Sequence, residues 1–123
     1  MNGKEIKRIL KMYYKNADFK VRIKRAGFDR TIDIRTDLLQ YTRSVAEKHC
    51  DLEWKLRRGE GLRGKEAEDY EFYEKLKEQD EQMKRRLKEI LQKHGIEEHV
   101  RRCPISGEIL LGGNLYIDIN PLE

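Results

Sequence analysis

The longest regular pattern in the sequence lies between residues 37 and 94, where apolar positions recur every three or four residues. In the first half this spacing keeps one narrow stripe on one side of a helix. The stripe consists of Leu38, Thr42, Val45, His49, Leu52 and Leu56. The second half repeats the rhythm, with polar gaps near Lys77 and Asp80, through Tyr70, Tyr73, Met83, Leu87, Ile90 or Leu91, and His94. Two proline-free segments with such stripes predict a long antiparallel helical hairpin.

The segment Gly59–Gly64 joins the two predicted helices and matches the letters G-x-G-x-x-G. The dinucleotide-binding fingerprint needs a strand before its first glycine, whereas a charged helix precedes this one. We therefore interpret the glycines as a flexible turn between helices. Asp37, with Gln40 three residues later, predicts the N-cap of the first helix, and Gly95 predicts the end of the second.

The first 36 residues predict a helix followed by a β-hairpin. Asn2 and Glu5 have the spacing of a capping box, and the apolar positions after them predict a helix over about residues 3–15. Apolar and charged residues then alternate over 19–24 and again over 31–35, which is typical of two half-buried strands.

A second β-hairpin is predicted near the C-terminus. Its strands are Glu108–Leu111 and Leu115–Ile119, on either side of a glycine-rich turn. In the latter strand Leu115, Ile117 and Ile119 share one face, and Tyr116 and Asp118 share the other. Because an isolated two-stranded hairpin is marginally stable, we expect both hairpins to form one antiparallel sheet.

The length of 123 residues predicts one α+β domain. Its parts are a basic helix plus β-hairpin (1–36), a helical-hairpin arm (37–94) and a C-terminal β-hairpin (95–123). With no apolar run long enough for a membrane span and no signal-peptide pattern, we expect a cytoplasmic protein that does not bind membranes. Cys50 and Cys103 are then expected to be reduced thiols.

Charge is distributed unevenly along the chain. Residues 1–35 hold eleven Lys or Arg and four acids, a net charge of +7, whereas the remaining residues sum to −3. A basic end of this kind attracts polyanions, although a row of helix cations is also typical of a plain solvated face. The candidate nucleic-acid-binding residues are Lys7, Lys11, Lys20, Arg22, Lys24 and Arg35.

Zinc-type ligands are present, but their spacing does not predict a metal site. They are His49, Cys50, His94, His99 and Cys103. The run Cys103-Pro104-Ile105-Ser106-Gly107 looks like a zinc knuckle without its second cysteine, and a structural site needs four ligands with paired short spacings. No nucleophile beside a base and no phosphate-cradling loop emerges either. We expect neither a cofactor nor an enzyme.

The single tryptophan, Trp54, lies off the apolar stripe and near the tip of the predicted arm. It is either part of a local aromatic cluster that closes the hairpin or the centre of a protein-binding hot spot, since Trp, Tyr and Arg dominate such sites. The candidate partner-binding residues are Trp54, Arg57, Arg58, Arg63, Tyr70 and Phe72. The same arm could mediate self-association, so the sequence allows a monomer or a homodimer.

The opening forty residues carry a family resemblance. A basic helix, the strand Phe19–Ile23, a short turn and the strand Thr31–Asp37 resemble small α-β-β modules in proteins of phages, plasmids and conjugative elements. Anti-CRISPR proteins among them are similar in size and in lacking catalytic motifs. The long arm and the Cys103-Pro104 segment depart from this pattern.

The resemblance implies a non-enzymatic protein of a mobile element that binds and blocks a host protein or nucleoprotein, such as a CRISPR effector nuclease. The alternative is direct nucleic-acid binding through the basic N-terminal face.

Overall fold

A computed structural model describes residues 2–123, which form three α-helices and one three-stranded sheet. In chain order the elements are α1 (Gly3–Tyr13), β1 (Phe19–Ala26), β2 (Asp29–Thr36), α2 (Arg43–Arg57), α3 (Lys65–Lys93) and β3 (Leu115–Pro121). The predicted α+β class is confirmed. None of the helices in the described range is both long and apolar enough to cross a membrane.

Helix α1 begins where the capping pattern predicted. The Asn2 side chain accepts a hydrogen bond from the Glu5 backbone N–H at 2.9 Å, which satisfies one of the amides left free at a helix start. Ile6 and Leu10 are fully buried on one side of the helix. The helix ends at Tyr13, two residues before the predicted limit.

The sheet is mixed, so the prediction of a wholly antiparallel sheet was wrong. Strands β1 and β2 form the predicted hairpin, with Phe19 opposite Thr36. Strand β3 pairs with the other edge of β2 in the parallel direction, with Ile32 opposite Ile117, and β2 is therefore central. A parallel pair needs a long crossover connection, and here α2, α3 and the segment after them supply it.

The predicted C-terminal hairpin does not form. Of its first strand, Ile109 makes only an isolated bridge to Arg102, and Leu111 is 91% exposed. The buried side chain of Asn114 instead holds a loop together: its Oδ1 accepts from the Arg101 N–H at 2.6 Å and its Nδ2 donates to the Leu110 carbonyl at 2.7 Å. Strand β3 consequently pairs with β2, where its apolar side chains can be buried.

The two sides of the sheet differ sharply, because side chains alternate along each strand. One side is apolar and is buried against α1 and the C-terminal half of α3. Its core residues are Phe19, Ile32, Ile34, Ile117 and Ile119 from the sheet, with Ile6, Leu10, Leu87, Ile90 and Leu91 from the helices. The other side is polar; Tyr116 and Asp118 lie there, as the alternation predicted.

Helices α2 and α3 form the predicted antiparallel hairpin, which we call the arm. His49 of α2 is hydrogen-bonded to Glu74 of α3, and nearer the tip Lys55 forms an ion pair with Glu66. The arm begins later than predicted: Thr42, not Asp37, caps α2, and Asp37 instead accepts from the Asp18 N–H at 2.9 Å. Towards the tip the apolar stripe is incompletely buried, since Leu56 is 43% exposed.

Asp80, one of the polar gaps in the stripe of α3, fastens the arm to the segment that precedes α2. Its carboxylate is 6% exposed and accepts from the backbone N–H of Gln40 at 3.1 Å and of Tyr41 at 2.7 Å. A charged acceptor with two backbone donors is a strong arrangement. It holds the extended entry to α2 against the middle of α3.

Replacing Asp80 by Ala should therefore destabilise the fold, because two partly buried N–H groups lose their acceptor. We expect a loss of about 1–3 kcal/mol in the free energy of unfolding, measured by urea denaturation. Glu78→Ala is the matched control, because it removes an exposed acid from the same helix. Asp→Ala favours helix more than Glu→Ala does, so a larger loss of stability at Asp80 cannot come from helix propensity. Equal midpoints for the two variants would contradict the assigned role of Asp80.

Candidate functional site

The start of α1 lies close over the edge strand β1. A Cβ atom added at Gly3 would lie 3.1 Å from the Val21 carbonyl oxygen, which is tighter than ordinary packing. Glycine at this position therefore lets the helix end approach the strand backbone. The approach places the first turn of α1 beside the polar side of the sheet.

An open groove of about 810 Å³ lies between the first turn of α1 and strands β1 and β2. The basic side chains lining it come from all three elements. They are Lys4, Lys7, Lys20, Arg22 and Arg35. The acids that line the same groove are Asp33 and Glu123. Cations outnumber acids among the described lining residues, so the groove is electropositive; we call it the basic groove.

Asp33 is the acid that pairs with the cations on the sheet side of this groove. Its carboxylate oxygen lies 3.7 Å from Lys24 Nζ and 3.7 Å from Arg35 Nε. The strand register also places Arg22 directly opposite Asp33, and Lys20 opposite Arg35. One largely buried carboxylate thus sits among four cations, which lowers their mutual repulsion and leaves a net positive surface.

Four of the six predicted nucleic-acid-binding residues line the basic groove: Lys7, Lys20, Arg22 and Arg35. Lys24 lies farther along the same side of the sheet, paired with Asp33. Lys11 is two turns from the helix start, and its Nζ donates to the Lys15 carbonyl at 3.3 Å. The prediction omitted Lys4, although its position one turn before Lys7 was a signal that could have found it.

Most of the residues predicted to bind a partner at the arm tip are exposed, but one of them belongs to the packing between the helices. Trp54 is 54% exposed, and the guanidinium carbon of Arg57 lies 5.9 Å from the centre of its ring. Phe72 is also more than half exposed. Arg63 is exposed, and Arg58 pairs with Glu60 at 3.3 Å.

The aromatic cluster of the arm forms around His49, not around Trp54. Tyr70 packs on His49 with the ring centres 5.2 Å apart, and Tyr73 does so at 6.1 Å. His49 itself is 2% exposed. Of the tip residues predicted to bind a partner, Tyr70 therefore belongs to the packing between α2 and α3.

Both ring nitrogens of His49 have polar partners. Nδ1 lies 2.6 Å from the Tyr41 hydroxyl, and Nε2 lies 2.7 Å from a Glu74 carboxylate oxygen and 3.9 Å from one of Glu53. The sequence pattern placed His49 on the apolar stripe but did not identify these partners. The spacing of His49 and Glu53, one helical turn, was the available signal.

The cluster around His49 also carries negative charge. Burial, followed by the negative charges of Glu53 and Glu74, raises the pKa of Tyr41 above its ordinary value. Tyr41 is thus a neutral hydroxyl at physiological pH, able to donate to or accept from the imidazole.

The zinc-type residues of the sequence do not converge. Cys50 is exposed on α2, His94 Nε2 lies 3.3 Å from the Tyr13 hydroxyl, and His99 pairs through its backbone with Leu115. Within residues 2–123, the group of three potential ligands that does come together is His49, Glu53 and Glu74, whose ligand atoms all lie within 4.8 Å of one another.

Cys103 lies in a turn that stabilises its thiolate. Hydrogen bonds from the Ser106 side chain and from the backbone of Ser106 and Ile105 lower the pKa of its thiol to about 7. The thiolate is the reactive form of cysteine.

Alkylation of Cys103 by iodoacetamide should consequently reach half its maximal rate near pH 7, measured in a Cys50→Ser variant that leaves this one thiol. Adding Ser106→Ala removes the strongest hydrogen bond and should move the midpoint upward. A midpoint near the ordinary thiol value of about 8.5 before that change would contradict the assigned environment.

Comparisons of the chain with protein-family models, with curated proteins and with solved structures gave no match. No family is therefore assigned. The functional argument rests on two features of the chain itself: the basic groove beside the sheet and the polar cluster in the arm.

Proposed function

We propose that this protein is a non-enzymatic binding protein whose basic groove binds nucleic acid. The observation that carries the proposal is the convergence of five Lys and Arg side chains from α1, β1 and β2 on one open groove. Three consecutive elements, one helix and two paired strands, contribute cations to one surface. A plain solvated helix face would place its cations along α1 alone.

The arrangement suits phosphate binding for two reasons. The lysines are flexible point charges, whereas the guanidinium groups of Arg22 and Arg35 can make paired hydrogen bonds to phosphate oxygens. The second reason lies outside the groove lining, on the same polar side of the sheet, where Tyr116 of β3 is half-buried next to Thr31 of β2. An aromatic ring on this side can stack an unpaired base, so we expect a preference for single strands.

The proposal includes no reaction. Among the described residues that line the groove there is no histidine, cysteine, serine or threonine. Its two acids are Asp33, held by Lys24 and Arg35, and Glu123, which accepts from the Arg43 N–H. Binding by charge is the chemistry that these side chains support.

A salt titration tests the proposal. Binding of a labelled single-stranded oligonucleotide, followed by fluorescence anisotropy, should weaken steeply as salt rises, because bound phosphates release counterions. Replacing Lys20 and Arg22 together by Gln should reduce the slope of log K against log salt by about 1.4, since each lost contact removes about 0.7 for single strands.

The matched control is Lys75→Gln with Lys77→Gln, which makes the same charge change at exposed positions of α3. It should leave the slope unchanged. No binding at low salt, or an equal effect of the two double variants, would reject the basic groove as a nucleic-acid site.

A second candidate function is the blocking of a host protein or nucleoprotein through the arm, as the anti-CRISPR resemblance implies for a cytoplasmic protein of a mobile element. The observation that favours it is the exposure of Trp54 with Arg57 stacked over its ring. Exposed Trp beside Arg is a frequent composition of binding hot spots. The basic groove and the arm could then contact different parts of one nucleoprotein.

Trp54→Ala separates this candidate from a purely structural role. Because more than half of Trp54 is exposed, the variant should lose at most about 1 kcal/mol of stability. A pull-down from host lysate treated with nuclease should lose its partner with this variant and keep it with Lys75→Gln. Partner capture that is insensitive to Trp54→Ala would remove the arm from the proposal.

The same surface could instead hold a homodimer. Sedimentation of the unmodified protein and of the Trp54→Ala variant would detect it, because only the unmodified protein would then be a dimer.

A further inference from the structure

The middle of the arm contains an arrangement that nucleic-acid binding does not use. The imidazole of His49 is almost fully buried, and its Nε2 points at two carboxylates from different helices. Glu53 comes from the same helix, one turn later, and Glu74 comes from α3. The carboxylates are 38% and 47% exposed, so the group opens to solvent on one side.

The charges of this group favour a cation. With a neutral imidazole, Glu53 and Glu74 bring two negative charges within 4.8 Å of each other. Among residues 2–123, the ion pairs recorded for these carboxylates are with His49, and no Lys or Arg side chain pairs with either. A positive charge at the centre of the group, carried by a proton on His49 or by a metal ion, relieves the repulsion.

The groups around His49 match those that surround a metal-binding histidine. A metal-binding histidine generally has its other ring nitrogen held by a second polar group, which fixes the ring. Without an ion, Nε2 carries the hydrogen that it donates to the Glu74 oxygen 2.7 Å away. When an ion displaces that hydrogen, an Nδ1–H can donate to the Tyr41 hydroxyl, 2.6 Å away, and the Nε2 lone pair becomes free for a ligand bond. The Tyr70 and Tyr73 rings pack on the imidazole and hold it in place.

We propose that His49 Nε2, Glu53 and Glu74 form a binding site for a divalent transition metal ion, with Zn²⁺ as the best match. One imidazole and two carboxylates suit Zn²⁺, whose bonds to these ligands are about 2.0–2.2 Å long. The ligand atoms already lie within 4.8 Å of one another, and small rotations of the two partly exposed glutamates bring them closer. Because both carboxylates are partly exposed, water can reach the site and would complete the coordination.

The consequence for the protein is a clamp between α2 and α3. The site lies in the middle of the arm, so a bound ion would add a direct link between the two helices there, outward of the core that holds the base of the arm. The clamp is independent of the basic groove, because none of its ligands lines that groove.

Isothermal titration of Zn²⁺ into the protein, after removal of metal with a chelator, tests the site. We expect one ion per chain, and Glu53→Gln and Glu74→Gln should each weaken binding at least about tenfold, because each removes a charged ligand. Glu78→Gln, which makes the same change at an exposed position one turn after Glu74, should bind as the unmodified protein does. Zn²⁺ should also raise the melting temperature of the unmodified protein and of Glu78→Gln, and of the other two variants much less.

The two thiols need their own control, since cysteine also binds Zn²⁺. A Cys50→Ser, Cys103→Ser variant should retain the affinity. Absence of binding in the unmodified protein overturns the proposal, as does binding that survives Glu53→Gln and Glu74→Gln or disappears with the thiols. All the variants keep His49 and the tyrosine rings packed on it, and the amide oxygen that Glu74→Gln introduces can still accept from the imidazole, so loss of Zn²⁺ binding is not explained by loss of the arm.

Discussion

The apolar side of the three-stranded sheet has to be buried, and the rest of the architecture follows from how the chain does this. Ile32 and Ile34 of the central strand are fully buried, and α1 and the C-terminal half of α3 cover them. Both covering elements lie on one side. The opposite side of the sheet is left with its polar side chains, and six of the eleven cations of the first 35 residues lie there or at the adjoining start of α1.

The arm is organised by different forces. Its base is joined to the core through Leu87, Ile90 and Leu91, whereas farther out polar pairs and the tyrosine rings packed on His49 join α2 to α3. Asp80 binds two backbone N–H groups, His49 joins both helices, and Lys55 pairs with Glu66 near the tip. The pairs between the helices set their register, and the Asp80 bonds hold the segment before α2 against α3. The proposed metal site and the candidate partner surface both lie on this arm.

Local pattern was sufficient to predict much of the fold. The cap at Asn2, the first β-hairpin and the two long helices all follow from short-range spacing, and each is present. The order of strands was beyond such reasoning. Residues 115–119 alternate as a strand should, but whether they pair with Glu108–Leu111 or with β2 depends on which side can bury Ile117 and Ile119. Only the tertiary structure decides that.

The candidate sites show the same division. The basic side of the β-hairpin was predictable from alternation, because Lys20 and Arg22 had to lie together on one side of β1. The approach of α1 over Val21, which adds Lys4 and Lys7, depends on the packing of the helix. The cluster around His49 was less accessible still, since Glu74 comes from another helix and Tyr41 from a segment that the sequence predicted to be helical. The N-cap prediction at Asp37 failed because the Asp37 side chain accepts a hydrogen bond from the backbone N–H of Asp18 instead. These two residues are 19 positions apart in the sequence.

The most direct test of the basic groove as the binding surface is a titration of ¹⁵N-labelled protein with a single-stranded oligonucleotide, followed by amide chemical shifts. Shifts should concentrate at the start of α1, along β1 and at Arg35 of β2, with smaller changes near Tyr116. The amides of α2 and of the outer part of α3 should stay unchanged. Shifts confined to the arm, or spread evenly over every basic residue of the chain, would contradict the proposal.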